Sequence, residues 1–146
     1  METSGRLTIE LVWEDADLEE LAIMGDNGQF RGAATAYFGI GDAGVMAHTL
    51  RGFPKSTSQR ELFSGGSEDG EQSFAQLVFY CTDDLGHCAV DVTLSECLFH
   101  RGRRAQRNRV ELVLRFEPGA LDTFCHELDA IARRMKTRAV LPGVAA

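Results

Sequence analysis

The sequence predicts an α+β fold: a single, strongly curved antiparallel sheet of about six or seven strands, covered by a C-terminal helix, with a second short helix at an edge or across an open end. Three observations lead there. Several segments, 7–13 and 109–116 among them, alternate apolar and polar side chains with period two, as strands with one buried face do. Asn27-Gly28 supplies a tight hairpin turn, because such turns need positive φ. Residues 117–135 repeat apolar side chains at i, i+3, i+4 and i+7, one stripe of a helix.

Along the chain, Leu7, Ile9, Leu11 and Trp13 share one side of the first strand, with Thr8 and Glu10 opposite, and "EDAD" at 14–17 turns the chain. Residues 18–24 and 28–38 form the hairpin around Asn27-Gly28. On its second arm Phe30, Ala34, Ala36 and Phe38 share a face, Gly32 suggests a bulge or bend, and the small residues leave room for a helix. Residues 42–54 read as a short helix capped by Asp42, with Val45, Met46, Thr49 and Leu50 on one side and Gly52 and Pro54 ending it. Residues 58–63 suit an edge strand, and 64–72 an acidic, glycine-rich loop.

Residues 73–81 and 87–98 read as the arms of a long hairpin, with Cys88, Val90, Val92 and Leu94 on one face and Asp91, Thr93 and Ser95 on the other. In 109–116, Val110, Leu112, Leu114 and Phe116 alternate with Glu111, Val113 and Arg115. The last helix opens near Pro118 and buries Leu121, Phe124, Cys125, Leu128, Ile131, Ala132 and Met135; Asp122 and Arg133, Arg134 and Lys136 sit at the ends that suit their charge. One α+β domain over residues 1–136 is expected, with 137–146 a frayed tail.

Composition excludes the extremes. The chain has 146 residues, 44% hydrophobic and 25% charged, which suits one globular domain rather than a disordered chain. No run reaches the length of a membrane span, and the N-terminus lacks an export pattern, so a cytoplasmic protein with reduced thiols is expected. Of Cys81, Cys88, Cys97 and Cys125, no two make a CxxC pair; Cys81 and Cys88 flank "TDDLGH", where a hairpin brings them near each other. With His87, His100 and His126 they match no common zinc spacing, so buried thiols and no metal are expected.

Catalytic patterns are missing. There is no GxSxG, HExxH or P-loop, and "GIGDAG" at 39–44 lacks the dinucleotide spacing. Asp83 and Asp84 suit a turn better than a calcium loop. His126 and Glu127 are adjacent on a helix and diverge by about 100°. No enzyme and no cofactor is expected.

Charge is uneven. Residues 1–100 hold 17 acidic and 5 basic side chains, a net of −12, whereas 101–146 hold 5 acidic and 10 basic, a net of +5. "HRGRRAQRNR" at 100–109 lies between two strands, has no aromatic residue for stacking and sits in an acidic chain, so a surface loop pairing with acidic groups is expected rather than nucleic-acid binding. In "EDADLEE", Glu14, Asp15, Asp17, Glu19 and Glu20 make five carboxylates in seven positions, a candidate docking patch for a basic partner.

In order, the chain carries a "GQFRGAATAYFG" strand, a helix closing "LRGFP", a "DDLGHCAVDVTL" hairpin and an "NRVELVLRFEPGALDTFCHELDAI" ending. This order of elements and motifs resembles the WapI-type bacterial immunity proteins and their relatives. The matching positions are Gly28, Phe30, Tyr37, Phe38, Phe53, Pro54, Gly86, His87, Val90 and Leu121, over roughly residues 7–132; insertions at 64–70 and 100–108 depart from the pattern. The resemblance implies a non-enzymatic protein that neutralises a toxin of its own strain, and it brings no catalytic residues. The expected function is therefore an immunity-like protein-binding module facing a basic toxin, with a homodimer through the 58–63 edge also open. The alternative is a small-ligand binder with a pocket between sheet and helices, to which Phe30, Tyr37, Phe79 and Tyr80 would contribute.

Overall fold

A computed structural model describes residues 3–68, 72–98 and 106–145, with the side chains of 3 and 4 left aside. The chain runs β1 (Thr3–Glu14), β2 (Leu18–Asp26), β3 (Arg31–Gly39), α1 (Asp42–Leu50), β4 (Arg60–Gly66), β5 (Phe74–Cys81), β6 (Cys88–Leu98), β7 (Gln106–Phe116), α2 (Ala120–Ala132) and β8 (Arg138–Val144). The α+β class stands. The single sheet does not: the strands form two four-stranded antiparallel sheets, β3-β2-β1-β8 and β4-β5-β6-β7. Alternation says which face of a strand is buried but not which strand pairs with it. Here α1 and the segment after it carry the chain out of the first sheet before β4 begins, so β3 and β4 are edges rather than ladder partners.

The sheets pack face to face around one core. β3 lies against β5, β6 and β7, and β8 against β7. Leu7, Ile9, Leu21 and Ile23 from one inner face meet Leu77, Phe79, Val90 and Leu114 from the other, all almost fully buried. Phe79 anchors the second sheet through edge-to-face contacts with Phe63 and Phe116, each at 6.0 Å. The helix α2 does not roof a single sheet. It packs on α1 and on β8, its buried stripe being Leu121, Phe124, Cys125, Leu128 and Ile131. Met135, assigned to that stripe from the sequence, lies past the helix end and is 76% exposed.

The small residues of β3 make room for a strand, not a helix. A Cβ at Gly32 would sit 2.3 Å from Val110 Cγ1 on β7, and β2 and β3 pair without a bulge from Leu18↔Gly39 to Asp26↔Arg31. Close sheet-on-sheet approach, rather than a bend, is what this glycine permits. Phe30 precedes β3 and is 60% exposed, so it leaves the buried face that Ala34, Ala36 and Phe38 share. At α1 the cap is Gly41, in the left-handed region at φ 86°, while Asp42 is the first helical residue and its Oδ2 accepts the Gly39 N–H at 2.8 Å. Val45 points to solvent, and Ala43, Met46, Ala47 and Leu50 face the core. Ser95, placed with the polar face of β6, is fully buried and accepts a hydrogen bond from Arg107 Nη1 at 3.1 Å.

The largest correction concerns the C-terminus. The segment expected to fray is a strand: β8 pairs with β1, Leu141 opposite Leu7 and Ala139 opposite Ile9, and both Ala139 and Leu141 are fully buried. Its free edge is blunted by α2, where Glu127 Oε1 accepts the Val140 N–H at 3.0 Å. Seven residues holding one proline and one glycine gave a weak strand signal; the hydrogen-bonding partner that orders them lies more than 120 positions away.

Candidate protein-binding surface

The site begins with a β-bulge. Leu11 pairs with Leu21, but the next pair is Trp13 with Glu20, so Val12 is an extra residue in β1. A bulge shifts the alternation that follows it onto the opposite faces. Trp13, which period two places with Leu7 and Ile9 in the core, therefore turns outward and is 48% exposed. The same shift sets Glu14 opposite Glu19, with Glu14 still exposed.

Trp13, Glu20 and Tyr37 then form one row across β1, β2 and β3 on the outer face of the first sheet. The two rings lean together over Glu20, with centroids 6.3 Å apart and planes at 81°. The Glu20 carboxylate takes a hydrogen bond from the Tyr37 hydroxyl, and that bond raises the Tyr37 pKa above the ordinary phenol value. Leu18 and Ile40 add exposed apolar area beside the pair, and Ile40 N–H donates to the Asp17 carbonyl at 3.2 Å, which ties the 15–17 turn to the end of β3.

The five carboxylates of the candidate docking patch are put to different uses. Asp15 Oδ1 accepts the N–H groups of Asp17 and Leu18, each at 2.8 Å, and these bonds hold its carboxyl below the ordinary carboxylate range. Glu14 pairs with Arg134, which follows α2. Glu19 is fully buried; its Oε2 lies 3.3 Å from Arg134 Nη2 and its Oε1 accepts the Ala43 N–H at 3.1 Å. It thus satisfies an amide at the start of α1, where no side-chain cap is present. Glu14, Asp15 and Asp17 remain exposed and Glu20 is half-buried, so Glu19 alone of the five is withdrawn from the surface around the aromatic pair. The exposure of Trp13 was not legible in the sequence, because it follows from the one-residue bulge, whereas Glu19 falls on the inner face through the uninterrupted alternation of Glu19, Leu21 and Ile23 along β2.

Elsewhere, Asp83 organises the turn between β5 and β6. Its Oδ1 accepts the N–H groups of Leu85 and His87, and its Oδ2 lies 2.5 Å from His87 Nδ1. Of the arginine-rich stretch, residues 100–105 lie outside the described residues. Arg107 and Arg109 belong to β7 rather than a loop; Arg109 Nη2 lies 2.9 Å from Glu111 Oε1 and 3.2 Å from Glu68 Oε1, in the acidic segment after β4. Cys81, Cys88 and Cys125 are free thiols. Among the described residues no three His, Cys, Asp or Glu side chains converge as metal ligands. No described helix is long and apolar enough to cross a membrane.

The aromatic residues considered for a ligand pocket lie in four places: Phe30 in the β2–β3 turn, Tyr37 on the outer face of the first sheet, Phe79 in the core, and Tyr80 on the outer face of the second sheet. Tyr80 donates to Asp91 Oδ1 at 2.6 Å, and burial together with this bond pushes its pKa up to about 12. The cleft at the α1 corner has a volume of about 190 Å³ and is lined by Phe38, Met46, Phe63 and neighbours, none of those four aromatics included.

Both tyrosines of the chain are thus held protonated beyond their ordinary range. An ultraviolet titration is expected to show no tyrosinate step near pH 10 in the folded protein and a normal one in denaturant. The folded state then binds more protons than the unfolded state above pH ~10, so this contribution to stability is lost as the pH climbs toward the folded values.

Comparison of the chain with known protein families, with curated proteins and with solved structures finds no match.

Proposed function

We propose that the chain is a non-enzymatic, immunity-like protein-binding module that engages a basic protein of the toxin kind through the surface around Trp13 and Tyr37. The observation that carries this reading is the half-exposed Trp13–Tyr37 pair, held over Glu20 and next to the acidic 15–17 turn. Tryptophan and tyrosine dominate binding hot spots, and a large indole left outside a core that had period-two room for it asks for another burial partner. The carboxylates around it and the net charge of −7 favour a basic partner and steer its approach. The resemblance to WapI-type immunity proteins supplies the kind of partner. The small-ligand reading has less support, since its aromatic residues do not converge.

The chain has one tryptophan, so Trp13 reports on its own surface. The test titrates the protein with the product of the neighbouring gene, and with an unrelated basic protein as control, following Trp13 emission at low and high salt. A cognate partner is expected to shift the emission to the blue, with affinity falling as salt rises. Trp13→Ala, read by calorimetry, is expected to weaken binding about 30-fold, the loss of a hot spot worth about 2 kcal/mol. Unchanged affinity in Trp13→Ala, or binding indifferent to salt, would remove this surface from the function.

A further inference from the structure

We propose that Cys81 and Cys88 are a redox pair, closing into a disulfide across the base of the β5–β6 turn. The two residues are direct partners at the end of the ladder. The next pair outward is hydrogen-bonded, Thr82 N–H donating to the His87 carbonyl at 2.8 Å, which makes Cys81–Cys88 a non-hydrogen-bonded pair. At such pairs the Cα atoms approach to about 4.5 Å and the side chains are at their closest, within the range a disulfide spans. Both side chains lie on the inner face of the sheet, Cys88 in the core and Cys81 packed against it. The thiols are within hydrogen-bonding reach of each other, and burial together with that contact pushes Cys88 up to about 12. Of the other two cysteines, Cys97 sits opposite Arg107 at the far end of β6, and Cys125 is buried on α2.

Access exists at the same end of the sandwich. A cleft of about 260 Å³ is lined by Thr82, Asp83, His87, Cys88 and Phe116. This cleft reaches Cys88 and not Cys81; Cys88 is 2% exposed and its thiol donates to the Gly86 carbonyl at 3.3 Å, whereas Cys81 is half-buried and meets an oxidant from its own solvent-facing side first. The oxidant is a small disulfide such as oxidised glutathione. The Cys81 thiolate attacks one of its sulfurs, forming a mixed disulfide and releasing one glutathione thiolate. Cys88 then attacks the Cys81 sulfur, passing its proton to solvent base as the second glutathione departs. Two protein thiols are oxidised, one disulfide is reduced to two thiols, and the Cys88–Gly86 hydrogen bond is given up.

The experiment incubates the whole protein at graded ratios of oxidised to reduced glutathione, alkylates free thiols under denaturing conditions and maps the peptides by mass. The expected result is a Cys81–Cys88 disulfide that becomes the major form as the ratio rises, while Cys97 and Cys125 stay alkylated. In Cys88→Ala the resolving thiol is gone, so glutathione is expected to persist on Cys81. Alkylation of both Cys81 and Cys88 at every ratio, or pairing of either with Cys97 or Cys125, would overturn the proposal. Should Cys88→Ala fail to fold, the wild-type map decides alone.

Discussion

A chain ending at Lys136 is expected to lose its cooperative fold. The truncation removes β8, and with it Ala139 and Leu141, both fully buried against the first sheet. Burial of the Leu141 side chain contributes about 2–3 kcal/mol. The loss extends further, because β8 covers one side of β1: Leu7 and Ile9 stand opposite Leu141 and Ala139, and α2 packs on β8. Stripping that strand leaves a row of β1 backbone groups unpaired beside a hydrophobic stripe and takes away one of the surfaces on which α2 rests. The combined cost is at least about 5 kcal/mol, as large as the whole stability of many domains. Urea unfolding followed by circular dichroism is expected to show a sharp transition for the full chain and none for the truncated one. Deleting only Ala145 and Ala146, of which Ala145 is exposed and follows the strand, is expected to change stability by no more than about 0.5 kcal/mol. A cooperative melt of the 1–136 chain at the full-length midpoint would show β8 to be dispensable.

Arg134→Ala is expected to cost about 2–4 kcal/mol. Glu19 is fully buried, and Arg134 is the cation that faces it. Removing one member of a buried pair leaves the other charge without compensation, an effect of about 3–5 kcal/mol when both are buried. Arg134 is about one-third exposed, so water screens part of the interaction and the lower range applies. The backbone adds a second effect, since Arg134 sits at φ 59° just past α2, a left-handed position that Ala adopts less readily than Gly. Arg134→Gly is therefore expected to be less destabilising than Arg134→Ala, the Ala variant reporting the lost ion pairs and the difference between the two the relief of the backbone. Denaturant melts of both variants, and of each combined with Glu19→Gln, separate the two parts. The double variant is expected to recover some of the loss because no buried charge is left unpaired. A loss in Arg134→Ala of no more than about 0.5 kcal/mol would mean that Glu19 is compensated in another way. The same network anchors both arms of the β1–β2 hairpin beneath Trp13, so Arg134→Ala should also weaken partner binding.

Local signals placed most of the strands. The Asn27-Gly28 turn lies between β2 and β3, the arms on either side of "TDDLGH" are β5 and β6, and the apolar stripe from Leu121 to Ile131 is the buried face of α2. In each case the periodicity or turn chemistry acts over fewer than about twenty residues, a span a sequence displays directly. The candidate surface was legible only in part. The acidic 14–20 segment marks its position, but the sequence treats its five carboxylates alike, whereas the fold divides them among a turn, an ion pair with Arg134, a helix start and the surface. The aromatic half of the site was hidden, because a single extra residue at Val12 reverses the face of Trp13 and period two does not reveal bulges.

By itself the chain determined the α+β class, the short-range hairpins, the amphipathic last helix and the acidic balance of its first hundred residues, all properties of neighbouring residues or of composition. Only the tertiary structure decided that the strands divide into two sheets, that the last residues return as β8 beside β1, that Glu19 meets Arg134, and that Trp13 turns outward. Each of these depends on which strand pairs with which and in what register. Pairing and register are set by the packing of one shared core, contributed by segments far apart in the chain, and alternation within any one segment is the same whichever partner it finds.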